Sequence, residues 1–286
     1  MAQQIVRIEG TKVDHAPTRA HLFKDARVCG GHLLLPACLH RVGSQAVPWF
    51  CDSGATRIDS AALGSTAFGV RYFGHWLLDD IPLQLVSRSQ TSGGVFDVMS
   101  ELSDHQKGYL RLLDLAPRTW LNARIGELVV VDDHGQNDHK AGRLEWIRQR
   151  LLAAVPSDSD QPVMILRKDT GKSRHLTNEM ELAARLEAQG FRILSPMESS
   201  AEDIVRATTR ARIVVGVEGS HLTHAILCMP PGSTLITIQP PNRFDAVLKD
   251  WCDVKGVRYG FVVGSAVPEG FSVSLGDVDR MIQSVP

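Results

Sequence analysis

Residues 213–238 read IVVGVEGSHLTHAILCMPPGSTLITI. Ile213, Val214 and Val215 form a β-branched run of the kind that fills a buried strand. The chain then turns through Gly216 and Gly219 into an apolar-periodic helical segment. It stops at Pro230-Pro231-Gly232 and resumes as a second β-branched run at residues 235–238. Strand, glycine turn, short helix, Pro-Gly stop and strand make one βαβ crossover. In open α/β sheets, ligands bind beyond the carboxyl ends of the strands. The turn at 216–221 is therefore where a ligand is expected. A helix start there offers unbonded N–H groups and partial positive charge, which suit a phosphate.

Working outward, residues 163–209 alternate strand and helix in the same way. A strand is expected at 163–166, a helix at 177–189 closed by Gly190, a strand at 191–194 and a helix at 200–209. Residues 155–162 (VPSDSDQP) are polar, proline-flanked and aperiodic, and read as an interdomain linker. Before it, short strands and turns fill 1–60, and 72–90 reads as a helix. A helix at 103–115 carries a capping box from Ser103 and Gln106 between strands at 95–99 and 128–131. Another helix covers 140–154. The pattern predicts two Rossmann-like α/β domains, 1–155 and 163–286, facing a cleft. The last helix, 276–285, is expected to pack back on the first domain.

The bulk composition narrows the function class. The chain has 286 residues, 43% hydrophobic and 22% charged, with net charge −1. No basic field marks a nucleic-acid binder. No apolar run reaches the ~20 residues of a membrane span, so any membrane contact is expected to be peripheral. Cys29, Cys38, Cys51, Cys228 and Cys252 are odd in number and scattered. Free, mostly buried thiols in a reducing cytoplasm are expected.

Two further clusters carry chemistry. In residues 72–82 (YFGHWLLDDIP), His75 and Asp79 lie four apart on one helix face. A carboxylate beside an imidazole fixes its tautomer and raises its basicity, as a general base needs. Asp80 is the reserve. A core histidine packed beside Trp76 is the plainer alternative, and from spacing alone the commoner one. Residues 167–174 (RKDTGKSR) follow a predicted strand, and four cations against one acid leave this turn at +3. Arg167, Lys168 and Arg174 suit phosphate oxygens, while a solvated loop is the alternative. Within the 216–221 turn, Glu218 is expected to accept from ribose hydroxyls. Gly219, Ser220 and His221 are expected to meet a phosphate or sugar, and His224 to be a partly buried helix residue. Residues 132–139 (DDHGQNDH) lack an established metal-ligand spacing and read as an exposed loop. There is no GxGxxG and no Walker motif, and Gly219-Ser220-His221 is not a nucleophile elbow.

Taken together, the clusters resemble glycosyltransferase family 61. The family's YGHWLLDxLP-like motif corresponds to residues 73–82. Its basic segment ending R-x-x-x-N-E corresponds to Arg174, Asn178 and Glu179. Its glycine-turn motif with a P-P-G-S tail corresponds to residues 216–233. The chain departs from the family where Glu218 replaces a histidine, Ser220-His221 an Ala-Gly pair, His224 an asparagine and Tyr72 a frequent asparagine. The resemblance implies a GT-B fold. It implies inverting, metal-independent transfer of a sugar from a nucleotide donor, commonly UDP-linked, to a hydroxyl of a glycan or lipid-linked acceptor. It makes Arg167, Lys168, Arg174 and Asn178 donor-binding residues alongside the glycine turn. The setting it suggests is surface polysaccharide or glycolipid assembly, in the cytoplasm or peripheral to the inner membrane. A non-catalytic nucleotide-sugar or glycan binder is the main alternative, and a sugar epimerase or hydrolase the third.

Overall fold

A computed structural model describes residues 2–10, 12–48, 55–157, 159–168 and 174–286. Cys51 and residues 169–173 of the basic turn lie outside the described residues. The chain opens with helix α1 (Ala2–Glu9). It then divides into two compact units: His15–Leu144, and Glu145–Pro286 together with Met1–Asp14.

The N-terminal unit runs β1 (Arg19–Cys29), β2 (His32–Leu35), β3 (Cys38–His40), β4 (Thr56–Leu63), α2 (Phe73–His75), a π-helical turn (Trp76–Asp80), α3 (Ile81–Arg88), β5 (Val95–Asp97), α4 (Asp104–Leu112), β6 (Arg118–Thr119), β7 (Asn122–Asp132) and α5 (Asp138–Ala154). Its sheet has the order β3-β2-β1-β7-β4-β5-β6. The β7-β4-β5-β6 half is parallel, as crossover helices require, and β1, β2 and β3 join it antiparallel. Leu63, Phe96, Ile125 and Leu128 pack with Val28 and Leu33 in its core. Each such side chain, removed from water, contributes about 1.5–3 kcal/mol. The capping box forms as expected, with Ser103 accepting from Gln106 N and Gln106 returning to Ser103 N.

The expected helix over 72–90 is α2, the π-turn and α3 in sequence. Pro82 has no N–H for the Leu78 carbonyl and its ring crowds that oxygen. The backbone widens there, and Ile81 N bonds Trp76 O, five residues back. Wide turns of this kind often mark functional positions.

The C-terminal unit continues with β8 (Val163–Ile165), α6 (Glu179–Ala188), β9 (Arg192–Leu194), α7 (Ala201–Thr208), β10 (Ile213–Val217), a 3-10 turn (Ser220–Leu222), α8 (Thr223–Cys228), β11 (Thr234–Gln239), α9 (Val247–Lys255), β12 (Arg258–Val263), β13 (Ser265–Val267), β14 (Gly270–Ser272) and α10 (Leu275–Gln283). Its main sheet is all parallel in the order β12-β11-β10-β8-β9. The opening crossover is β10, α8 and β11. Every residue of β11 is buried, which explains its unbroken apolar and threonine run. Gly216 is required because a Cβ there would press on Leu222 and the Ile165 carbonyl.

Three expectations are corrected. First, the units divide within α5, at Leu144 and Glu145, rather than at 155–162. Val155 and Ser157 are buried, and the Ser157 carbonyl accepts from Arg210, so that polar stretch is fastened to the C-terminal unit. Second, α10 packs on its own sheet. Val278 joins the cluster of Leu182, Ile236 and Val262, and Gln189 Nε2 donates to Asp279. The segment that returns from afar is α1, where Arg7 pairs with Asp250 at 3.0 Å and Gln4 accepts from Ala246 N. Third, Cys29 is disulfide-bonded, which removes the free-thiol premise at that position. Cys228 and Cys252 are buried and in no disulfide, while Cys38 is exposed. Among the described residues, no helix is long and apolar enough to cross a membrane.

Candidate active site

In the N-terminal unit, the wide turn sets His75 Nδ1 at 2.7 Å from Asp79 Oδ2. A neutral His75 donating through Nδ1 keeps Nε2 as its acceptor. The histidine side chain is 31% exposed, so it is not the packed core residue of the plainer alternative. The other Asp79 oxygen bonds Lys140 Nζ at 2.5 Å. That ammonium is 1% exposed and also donates to Asp133 O. Burial alone would raise the Asp79 pKa. The His75 bond and the Lys140 charge together outweigh it and hold the carboxyl below its usual value.

Lys140 was missed by the sequence reading because nothing in a helix pattern announces a fully buried lysine. Its surroundings overturn the exposed-loop reading of 132–139 in part, since Asp133 and Gly135 are buried. Asp133 is buried, receives both of its carboxylate oxygens' bonds from Arg143 Nη2 at 2.6 Å and accepts from Thr18. His134 remains exposed. Among the described residues, no three His, Cys, Asp or Glu side chains gather as a metal site.

Asp80 cannot serve as the reserve base. It is fully buried, and its Oδ1 accepts from Thr66 N at 3.0 Å and Thr66 Oγ1 at 2.8 Å. Burial pushes its pKa well above the usual carboxylate range. Gly69 lies so close that a Cβ would overlap the Asp80 carboxyl. Asp80 therefore positions the 66–69 turn.

In the C-terminal unit, Arg167 leaves the end of β8 and Glu218 the end of β10, both at the carboxyl edge of the sheet. Arg167 Nη1 and Arg174 Nη1 converge on the Glu218 carbonyl at 3.0 and 2.8 Å. The Glu218 carboxylate is 4% exposed and pairs with Arg174. It faces inward, which corrects its assignment to ribose hydroxyls. Burial raises its pKa against the pull of Arg174. Glu179 is not among the expected site residues, yet its carboxylate accepts from Arg167 N at 2.7 Å and Lys168 N at 3.0 Å. It fixes the start of the basic turn. Lys168 reaches the exposed Glu198.

Asn178 is corrected as well. Its amide donates to Val273 O at 2.9 Å and accepts from Val273 N at 3.1 Å. Those bonds tie α6 to the strand end before α10 and occupy the amide. Ser220 is exposed at the start of the 3-10 turn, its carbonyl accepting from Thr223 Oγ1. His224 is buried. His221 is buried too, and burial with the nearby Arg167 and Arg174 pushes its pKa down to about 3. It is a neutral imidazole.

Gly219 has a steric reason. A Cβ at 219 would overlap the Arg167 guanidinium. Gly219→Ala is expected to displace that group and leave the sheet intact. Charge-assisted hydrogen bonds contribute about 1.5–3 kcal/mol, so affinity for a nucleoside diphosphate, the ligand expected at this turn, should fall roughly 10- to 100-fold. Calorimetry with a nucleoside diphosphate checks this, and unchanged affinity in a folded variant refutes it.

The sequence model of a family described as Glycosyltransferase 61 matches residues 73–236. Among solved structures, the chain is similar to Escherichia coli heptosyltransferase WaaC with ADP-2-deoxy-2-fluoro heptose. Identity is 14% over 80% of this chain and 99% of that one, with a TM-score of 0.40. The same enzyme with ADP gives 13% identity over 81% and 100%, with a TM-score of 0.42. A mutant flavo di-iron protein from Thermotoga maritima gives 10% identity over 88% and 59%, with a TM-score of 0.33. No curated protein matches the chain.

Proposed function

The chain belongs to glycosyltransferase family 61, and on that premise we propose that it inverts the anomeric centre of a UDP-linked sugar while transferring it to a glycan or lipid-linked hydroxyl. His75 Nε2 takes the proton of the attacking hydroxyl as its oxygen bonds the anomeric carbon. The bond from that carbon to the diphosphate breaks, and its electron pair leaves with the nucleotide. Asp79 holds the imidazole in register and stabilises the imidazolium that forms. Lys140 fixes the far side of Asp79.

The leaving diphosphate gains charge as the bond breaks. Arg167 and Arg174 supply preorganised cations for it without a metal ion. The diphosphate would compete with the Glu218 carboxylate for Arg174. Lys168 would exchange its exposed partner Glu198 for a phosphate oxygen, since such surface pairs contribute little. Ser220 supplies an exposed hydroxyl at the same turn, and neutral His221 adds no competing charge.

The observation that carries this reading is the chain His75–Asp79–Lys140, a half-exposed imidazole backed by a charge-balanced carboxylate. The test incubates purified protein with UDP-sugars and a panel of glycan acceptors. UDP release that requires an acceptor is expected. Release without acceptor, at an unchanged rate, contradicts transfer.

One feature favours the binder instead: the carboxylate of Glu218 already occupies Arg174. Calorimetric binding of a UDP-sugar with no turnover over the same acceptor panel would select that reading.

A further inference from the structure

Two aromatic side chains stand open to solvent beside His75. Phe68 is 57% exposed and Tyr72 54% exposed. Their rings lie 5.2 and 6.2 Å from the imidazole, centroid to centroid. Water-facing aromatics of this size are costly to leave bare, and both rings flank the same imidazole.

The backbone beneath them is held firmly. Thr66 bonds the buried Asp80 through both N and Oγ1, and Gly69 N donates to Thr66 Oγ1. Val70 N bonds Thr66 O, and Arg71 N and Tyr72 N both bond Phe68 O. The segment from Thr66 to Tyr72 is thus a closed turn anchored to a carboxyl in the unit's interior. That arrangement costs a buried acid with a raised pKa, and what it gains is a fixed position for two exposed rings. Fixed rings lose little entropy when they bind.

We propose that Phe68 and Tyr72 are the acceptor subsite, and that its ligand is a pyranose ring presenting its apolar C–H face. This rests on His75 being the base. The chemistry selects the occupant. A pyranose has one face of axial C–H groups that stacks on an aromatic ring, while its edge carries hydroxyls. Stacked on Phe68 and Tyr72, the sugar sets an edge hydroxyl towards His75, within reach of proton transfer. A flexible polyol has no such face, and a purely lipid acceptor would leave the hydroxyl edge unread.

The test has two arms. The first uses saturation-transfer NMR with methyl pyranosides of glucose, galactose, mannose and N-acetylglucosamine, and needs no turnover. At least one is expected to receive saturation at its ring C–H protons, with sorbitol failing to compete. The signal is expected to vanish in a Phe68→Ala/Tyr72→Ala variant and to persist in His75→Ala. The second arm is kinetic. Aromatic stacking contributes about 0.5–1.5 kcal/mol per ring, so the double variant should raise the acceptor KM roughly 5- to 100-fold, with donor KM unmoved. Both substituted positions are exposed, and Phe68→Leu keeps bulk without a π face as a control on folding. Equal pyranoside signals in wild type and the double variant overturn the subsite, as does an unchanged acceptor KM. Loss of turnover in His75→Ala with pyranoside binding intact separates failure of the base from failure of the subsite.

Discussion

His75→Ala is expected to lower kcat by about 10²–10⁴-fold, the range that a positioned general base supplies. The substitution removes Nε2, the only group in the chain His75–Asp79–Lys140 that can take the acceptor proton. It leaves the fold in place, because Asp79 keeps its 2.5 Å bond to Lys140. The donor contacts belong to the C-terminal unit, so the donor KM should hold. A drop in kcat at constant donor KM is what loss of an interaction made only in the transition state looks like. Steady-state kinetics on the purified variant checks it. A variant that retains wild-type kcat removes His75 from the mechanism.

Lys140→Met is expected to destabilise the N-terminal unit by about 3 kcal/mol, the lower end of the cost of stripping one partner from a buried ion pair. Methionine matches the stem in volume, so packing is largely kept and the loss is electrostatic. Asp79 would lose its ammonium partner while keeping His75, and Asp133 O would lose a donor. Asp79 is 18% exposed, and water can reach it, which is why the lower end applies. The pH dependence follows from the depressed Asp79 pKa. A depressed carboxyl contributes its full stability above its unfolded value and loses it as pH falls through the folded one. The gap between wild type and variant should therefore narrow below about pH 4. Urea unfolding at an unchanged m-value measures it. A difference under about 1 kcal/mol at neutral pH would show that the ammonium is dispensable.

Much of the C-terminal unit was legible because local signals agree with the fold there. The β-branched runs at 213–217 and 234–239 and the positive-φ Gly190 each place an element on their own. The Ser103–Gln106 box did the same in the N-terminal unit. The N-terminal sheet was harder to read. β1 is exposed along most of its length, with no two-residue alternation to mark a face, and its long antiparallel pairing with β7 joins residues about a hundred apart. The attachment of α1 to the C-terminal unit is equally non-local, since the partner of Arg7 is Asp250, far along the chain.

The candidate site divides along the same line. His75 and Asp79 were found by helix spacing, and Gly219 by turn chemistry. Lys140, Glu179 and the inward turn of Glu218 depend on which buried partner lies opposite, and that information is tertiary. Asp80 and Asn178 have the right residue types in the right motifs, yet Asp80 is sealed in the interior with Oδ1 bonded to Thr66, and the Asn178 amide is taken by Val273. A motif fixes where a side chain starts. Its partners decide whether it faces a ligand.

The most direct measurement is proton NMR of the product formed from a UDP-α-sugar and an acceptor pyranoside without added metal. A single β-linked product is expected, its formation slowed about 10²–10⁴-fold in His75→Ala. An α-linked product, or hydrolysis to the free sugar with no linkage formed, would contradict inverting transfer by this chain.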